Sequence, residues 1–184
     1  MSAPSLLRPA DRHRVSLVRD VAAVTQVMSR DPVGSCMVAA RVADHGVDPR
    51  AIGGELWTRG RADQALCFAG ANLIPLRGSA TDLRAFAERA LSVARRCSSV
   101  VGPADLVMTM WDRLRDGWGP ARDVRERQPL LALRSQPDCA PDPGVRRVYV
   151  NELDAYLVAA VDMFIGEVGV DPRAGDGGRG YRRR

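Results

Sequence analysis

In the stretch Arg77-Gly-Ser-Ala-Thr81 this chain gathers residues able to hold an anion. It follows an apolar run ending in Leu73-Ile-Pro-Leu76 and precedes an amphipathic one. Gly78 admits close backbone approach, and Ser79 and Thr81 offer hydroxyls. A helix starting here would aim its first N–H groups, and the positive end of its dipole, at whatever lies before it. Arg77 adds a cation. Phosphate is the chemistry such a set suits. The same residues also serve as ordinary helix punctuation, because serine and threonine are preferred caps.

Other reactive types are sparse. Glu55, after two glycines at a strand start, has the chemistry of a general base and reads more simply as a solvated edge residue. Cys36, Cys67, Cys97 and Cys139 stand singly, with no Cys-x-x-Cys pair and no histidine nearby to complete a metal set. No metal is expected, and the cysteines read as packed thiols in a reducing compartment. His13 and His45 are the two imidazoles, so Cys36 with His45 is a conceivable nucleophile pair. A packed thiol and a helix-end histidine is the weightier reading.

Composition bounds the rest. With 46% hydrophobic and 27% charged residues among 184, the chain has room for a full core. No apolar run approaches the roughly 20 residues of a membrane span, and Met1 to Arg19 lacks a signal-like stretch, so a cytoplasmic protein with no membrane partner is expected. Of the formal charge of +5, Arg179, Arg182, Arg183 and Arg184 supply four, leaving +1 for the body. All 27 basic side chains are arginine, dispersed among acids, which argues against a nucleic-acid partner.

The elements that must position these residues follow from periodicity. Residues 14–18 alternate as a strand, and Asp20 caps a helix through Val24, Val27 and Met28. Asp31-Pro32 starts a second helix, running through Cys36 and Val42 to Gly46. Residues 55–60 and 65–76 form a hairpin about a charged turn at 61–63, the second strand kinked or bulged at Gly70 and Pro75, its last part leaving the sheet. Thr81-Asp82 opens a helix with Leu83, Phe86, Ala87, Ala90, Leu91 and Ala94 on one face. A short strand at 98–102, a helix opened by Pro103 with Met110, Trp111, Leu114 and Trp118 inward, and a strand at 128–133 complete a domain over 14–134. Pro-rich residues 135–144 form a linker. Residues 145–184 then repeat the opening order: a strand at 147–150, a cap at Asn151 with Asp154, and a helix bearing Leu153, Tyr156, Leu157, Ala160, Val161, Phe164 and Val168.

That order, with Gly53-Gly-Glu-Leu-Trp57, Gly70-Ala-Asn-Leu73, Cys97-Ser-Ser-Val-Val-Gly-Pro-Ala-Asp105, Trp118-Gly-Pro-Ala-Arg122 and Glu167-Val-Gly-Val-Asp-Pro172, resembles the bacterial two-domain GNAT N-acetyltransferases from about Val15 to Tyr181. The resemblance implies an α/β (α+β) fold, a mixed sheet flanked by helices, followed by a second GNAT unit. It implies transfer of an acetyl group from acetyl-CoA to a primary amine on a small molecule or protein. The pantetheine arm would lie along Leu73, Ile74 and Leu76, with the pyrophosphate at Arg77, Gly78, Ser79 and Thr81. The sequence departs from the family's Gln/Arg-x-x-Gly-x-Gly/Ala loop at this point. Glu167, Asp171 and Asp176 fall where the family borders its acceptor site, and they serve loop solubility equally well. Only 40 residues follow the linker, so the second unit is expected to be incomplete and this chain inactive, with its exposed helix prone to self-association. The alternative is a non-catalytic acyl-CoA-binding or partner-docking module.

Overall fold

The structure, a computed structural model, describes residues 14–131, 133–174 and 177–182. It divides into two units, Met1–Leu130 and Leu131–Arg184.

The first unit is a mixed α+β fold. Its order is β1 (Val15–Leu17), α1 (Val21–Met28), α2 (Cys36–His45), β2 (Glu55–Arg59), β3 (Leu66–Ala69), β4 (Asn72–Arg77), α3 (Ala80–Leu91), β5 (Ser99–Val100) and α4 (Ala104–Trp118). The five strands form one sheet in chain order, antiparallel except for the parallel pair β4 and β5.

Alternation along the strands builds two cores, one on each face. Leu56, Leu66, Phe68 and Ile74 face Val24, Val27, Met28, Val38 and Val42 of α1 and α2. Trp57, Cys67 and Leu73 face Leu83, Phe86, Ala87 and Ala90 of α3 and Met110 and Leu114 of α4. Helices therefore cover both faces of the sheet, and β4–α3–β5 is a parallel crossover unit.

Three expectations are corrected by local hydrogen bonding. The aspartate of Asp31-Pro32 does not start α2. Its carboxylate accepts the Gly34 N–H at 2.9 Å and its carbonyl accepts the Ser35 hydroxyl at 2.6 Å, making a separate turn before Cys36. Residues 65–76 are two strands and not one, because the Gly70 N–H turns back to the Asn72 carbonyl at 3.0 Å. This turn needs bare backbone: a Cβ on Gly70 would lie 2.8 Å from the Gly53 carbonyl oxygen, and one on Gly54 2.7 Å from that of Ala69. At the other end of the run, α3 begins at Ala80 under a Ser79 cap and closes at Leu91, so Ala94 lies beyond it.

In the second unit α5 (Leu153–Val168) ends on Gly169, whose φ of 68° is left-handed, and α6 (Arg179–Arg182) follows. The Tyr181 ring meets Phe164 edge-on at 5.8 Å, and Arg182 pairs with Asp154. Ala160 and Val161 are buried, while Tyr156, Val158 and Met163 are exposed. Neither expected strand forms. Leu130, Leu131 and Leu133 are 71%, 84% and 76% exposed, with Ala132 outside the described residues. Residues 147–149 are irregular, and Val150–Glu152 is a 3-10 turn whose Glu152 carboxylate accepts the Tyr149 N–H at 3.0 Å. An apolar alternation makes a strand only where a sheet edge is there to pair with it, so the opening order of the chain is not repeated here.

Candidate functional site

The functional geometry lies where β4 and β5 part. They pair through Asn72 with Ser99 and Leu73 with Val100, and the Leu73 carbonyl accepts the Val101 N–H at 3.0 Å. Residues two apart on a strand address the same neighbour, so Pro75 turns its nitrogen toward β5 and has no hydrogen to donate. The parallel ladder stops there. Gly102, at φ 152°, still lies against Pro75, where a Cβ would sit 3.2 Å from the carbonyl oxygen, and Pro103 after it has no N–H to carry the pairing further. Toward β3 the same strand stays paired: Cys67 matches Pro75 and Leu66 matches Arg77, which leaves Leu76 as the extra residue of a bulge.

The separation leaves an open cleft of about 490 Å³ lined by Gln64, Leu76, Arg77, Gly78, Ser79, Pro103, Asp105 and Leu106. That volume is within the range of small-molecule sites. The Ser79 cap of α3 and the first turn of α4, which follow the carboxyl ends of the two parallel strands, contribute to its wall. A hollow of about 20 Å³ shares Leu76 and Pro103 with it and is otherwise lined by Val27, Met28, Asp31, Gly34 and Ser35.

Of the residues singled out in the sequence, Leu76, Arg77, Gly78 and Ser79 meet in the cleft. Leu73 and Ile74 do not, because they are buried in the cores on opposite faces of the sheet. Thr81 is exposed on the first turn of α3 and does not line it. Gln64, Pro103, Asp105 and Leu106 were missed. Pro103 was legible only as a helix start, since nothing local says that its strand lies beside β4.

Charge in the cleft is nearly balanced. At the head of α3 the Asp82 carboxylate accepts the Ser79 N–H at 3.0 Å and its hydroxyl at 2.6 Å, and pairs with Arg59 at 2.7 Å. Partial burial raises the Asp82 pKa, but the bonds from Ser79 and Arg59 together outweigh it and hold the carboxyl below its usual range. Arg77 and Asp105, opposite in sign, line the same cleft without a side-chain hydrogen bond or ion pair among the described residues.

The remaining candidates are engaged elsewhere. Glu55 accepts the Trp57 indole N–H at 2.7 Å and faces Arg89 at 3.5 Å, while the Arg89 guanidinium stacks 5.0 Å from the Trp57 ring centroid. That set clamps β2 to α3, so Glu55 is neither a solvated edge residue nor part of the cleft. Cys36 and His45 are the first and last residues of α2, about 13 Å apart along its axis, and do not form a pair. Burial pushes up the Cys67 thiol, and to a lesser degree that of Cys97. Glu167 and Asp171 belong to the second unit, where Arg173 holds Asp171 at 2.9 Å and lowers its pKa. His13 and Asp176 lie outside the described residues. Among the described residues no cluster of His, Cys, Asp or Glu has the makings of a metal site, and no helix is long and apolar enough to cross a membrane.

A family model described as a domain of unknown function, DUF4081, matches residues 54–156, a span that includes every residue lining the cleft. No curated protein and no solved structure matches the chain. Since the match covers more than half of its length, the chain belongs to the DUF4081 family.

Proposed function

We propose that residues 14–130 form a thioester-binding cleft of the GNAT kind, holding acetyl-CoA for transfer of its acetyl group to a primary amine. The observation that carries this reading is the end of the β4–β5 pairing at Pro75 and the cleft beyond it, with α3 and α4 both starting on the opening. Crevices outside the carboxyl ends of parallel strands are where such sheets take ligands. Leu76 and Leu106 offer apolar wall to a pantetheine arm, and Arg77, Gly78 and Ser79 offer the phosphate side. In the transfer the amine nitrogen attacks the thioester carbonyl. A C–N bond forms as the C–S bond breaks, the nitrogen's proton passes to base or water, and the departing thiolate takes up a proton.

A second reading has its own support. The hollow next to the cleft has space for about one water, which leaves no acceptor pocket there in this conformation. The Ser79 N–H is also already used by Asp82. The first favours an acyl-CoA-binding module without turnover, and the second favours partner docking.

Calorimetric titration with acetyl-CoA tests the cleft. Saturable binding that is lost in Arg77→Ala supports it, and no heat at millimolar ligand overturns it. Release of free thiol in the presence of primary amines then separates the transferase from the module.

A further inference from the structure

The hollow beside the cleft has one apolar wall and one polar wall. The apolar wall is Val27 and Met28, both buried at the end of α1, with Leu76 and Pro103, the two residues shared with the cleft. Leu76 packs against the core cluster that holds Val27 and Met28, so it forms the border between the two spaces. The polar wall is the turn after α1, and its donors already have acceptors. The Gly34 N–H donates to the Asp31 carboxylate at 2.9 Å and the Ser35 N–H to the Asp31 carbonyl at 3.1 Å. The buried Ser35 hydroxyl donates to the carbonyls of Asp31 at 2.6 Å and Met28 at 3.0 Å. Pro103 has no N–H to give. At about 20 Å³ the hollow has room for one water, but a water held there needs two to four polar partners. With the donors of the turn committed and the other wall apolar, a methyl group suits it better.

On the acetyl-CoA reading of the cleft, on which this rests, the arm lies along Leu76 and its acyl end meets the border formed by Leu76 and Pro103. We infer that the acyl group crosses this border into the hollow and that Met28 sets its length, admitting acetyl and excluding longer chains. Val27 and Met28 line the hollow and not the cleft, so a chain entering past Leu76 runs into them. Of the two, Met28 has the longer, unbranched side chain, and shortening it frees the more room.

Titration calorimetry of the full chain with acetyl-, propionyl- and butyryl-CoA decides it. In the unmodified chain butyryl-CoA should bind about fivefold more weakly than acetyl-CoA, the effect of overfilling a packed space by ~1 kcal/mol. Met28→Ala should reverse that order, each added methylene strengthening binding about fourfold, which is the ~0.8 kcal/mol of one buried CH₂. Val27→Ala removes less of the core and should shift the preference from acetyl- to propionyl-CoA; it decides the matter if Met28→Ala loses its cooperative melt. Butyryl-CoA binding as tightly as acetyl-CoA in the unmodified chain would place the acyl group in the open cleft and overturn the inference while leaving the acetyl-CoA reading intact, and so would an unchanged order in the folded variants. Failure of all three thioesters to bind at millimolar concentration removes both.

Discussion

Asp82 is a residue whose removal separates stability from binding. Asp82→Ala takes away the reciprocal cap of α3 and the Arg59 ion pair together, and should cost about 1–2 kcal/mol in urea denaturation. Its folded carboxyl lies below the unfolded value, so its contribution is complete above about pH 4 and disappears as pH falls through the depressed folded pKa. Asp82→Asn should therefore flatten the acid side of the stability curve, and an unchanged slope would assign that sensitivity to other carboxylates. Thiol accessibility follows the same local logic. Cys36 and Cys139 are exposed and should react with a disulfide reagent within seconds, Cys97 more slowly, and Cys67 only on unfolding. At this scale the sequence was legible where partners are close. Ser79 and Asp82 are three apart and announce a cap by type, whereas Arg59 is 23 residues from Asp82 and Arg89 34 from Glu55, and no spacing rule connects them.

Among elements, the β4–β5 junction yields the sharpest test. Pro75→Ala restores an N–H on the side that faces β5, so one further ladder bond, to the Val101 carbonyl, can form and draw the strands together at the cleft. The new residue-75 amide should be protected from exchange and that of Val101 should slow, and affinity for a pantetheine thioester should fall about fivefold or more, a change of ~1 kcal/mol or one ladder bond. Faster exchange with unaltered affinity would show that the proline does not hold the strands apart. Gly54→Ala should destabilise by about 1–3 kcal/mol, because its Cβ meets the backbone of the opposing turn, which cannot rotate aside. Helices were readable because their apolar spacing is a local property: α1, α3 and α4 lie where Val24, Phe86 and Met110 predicted. Strands were readable only in part. Residues 65–76 looked continuous because the turn at Gly70 is set by contact with Gly53 and Gly54, and Gln128–Leu133 has a strand's composition without an edge to join.

For the molecule as a whole, the division near Leu130 predicts that a fragment of residues 1–130 keeps a single cooperative melting transition and binds the same ligands as the full chain. Residues 119–149 carry no helix or strand among those described, so limited proteolysis should cut there first. The full chain should associate with rising concentration in sedimentation velocity through Tyr156, Val158 and Met163 of α5, and the fragment should not. The outer strands of the sheet decide what form that association takes. β1 offers three residues and β5 two, and Pro103 shortly after β5 has no N–H to offer a neighbour. A foreign strand laid along either border would find almost no template to copy, so this sheet is poorly suited to seed fibrils, and aggregates of the protein should be amorphous, joined by side chains and not by shared backbone.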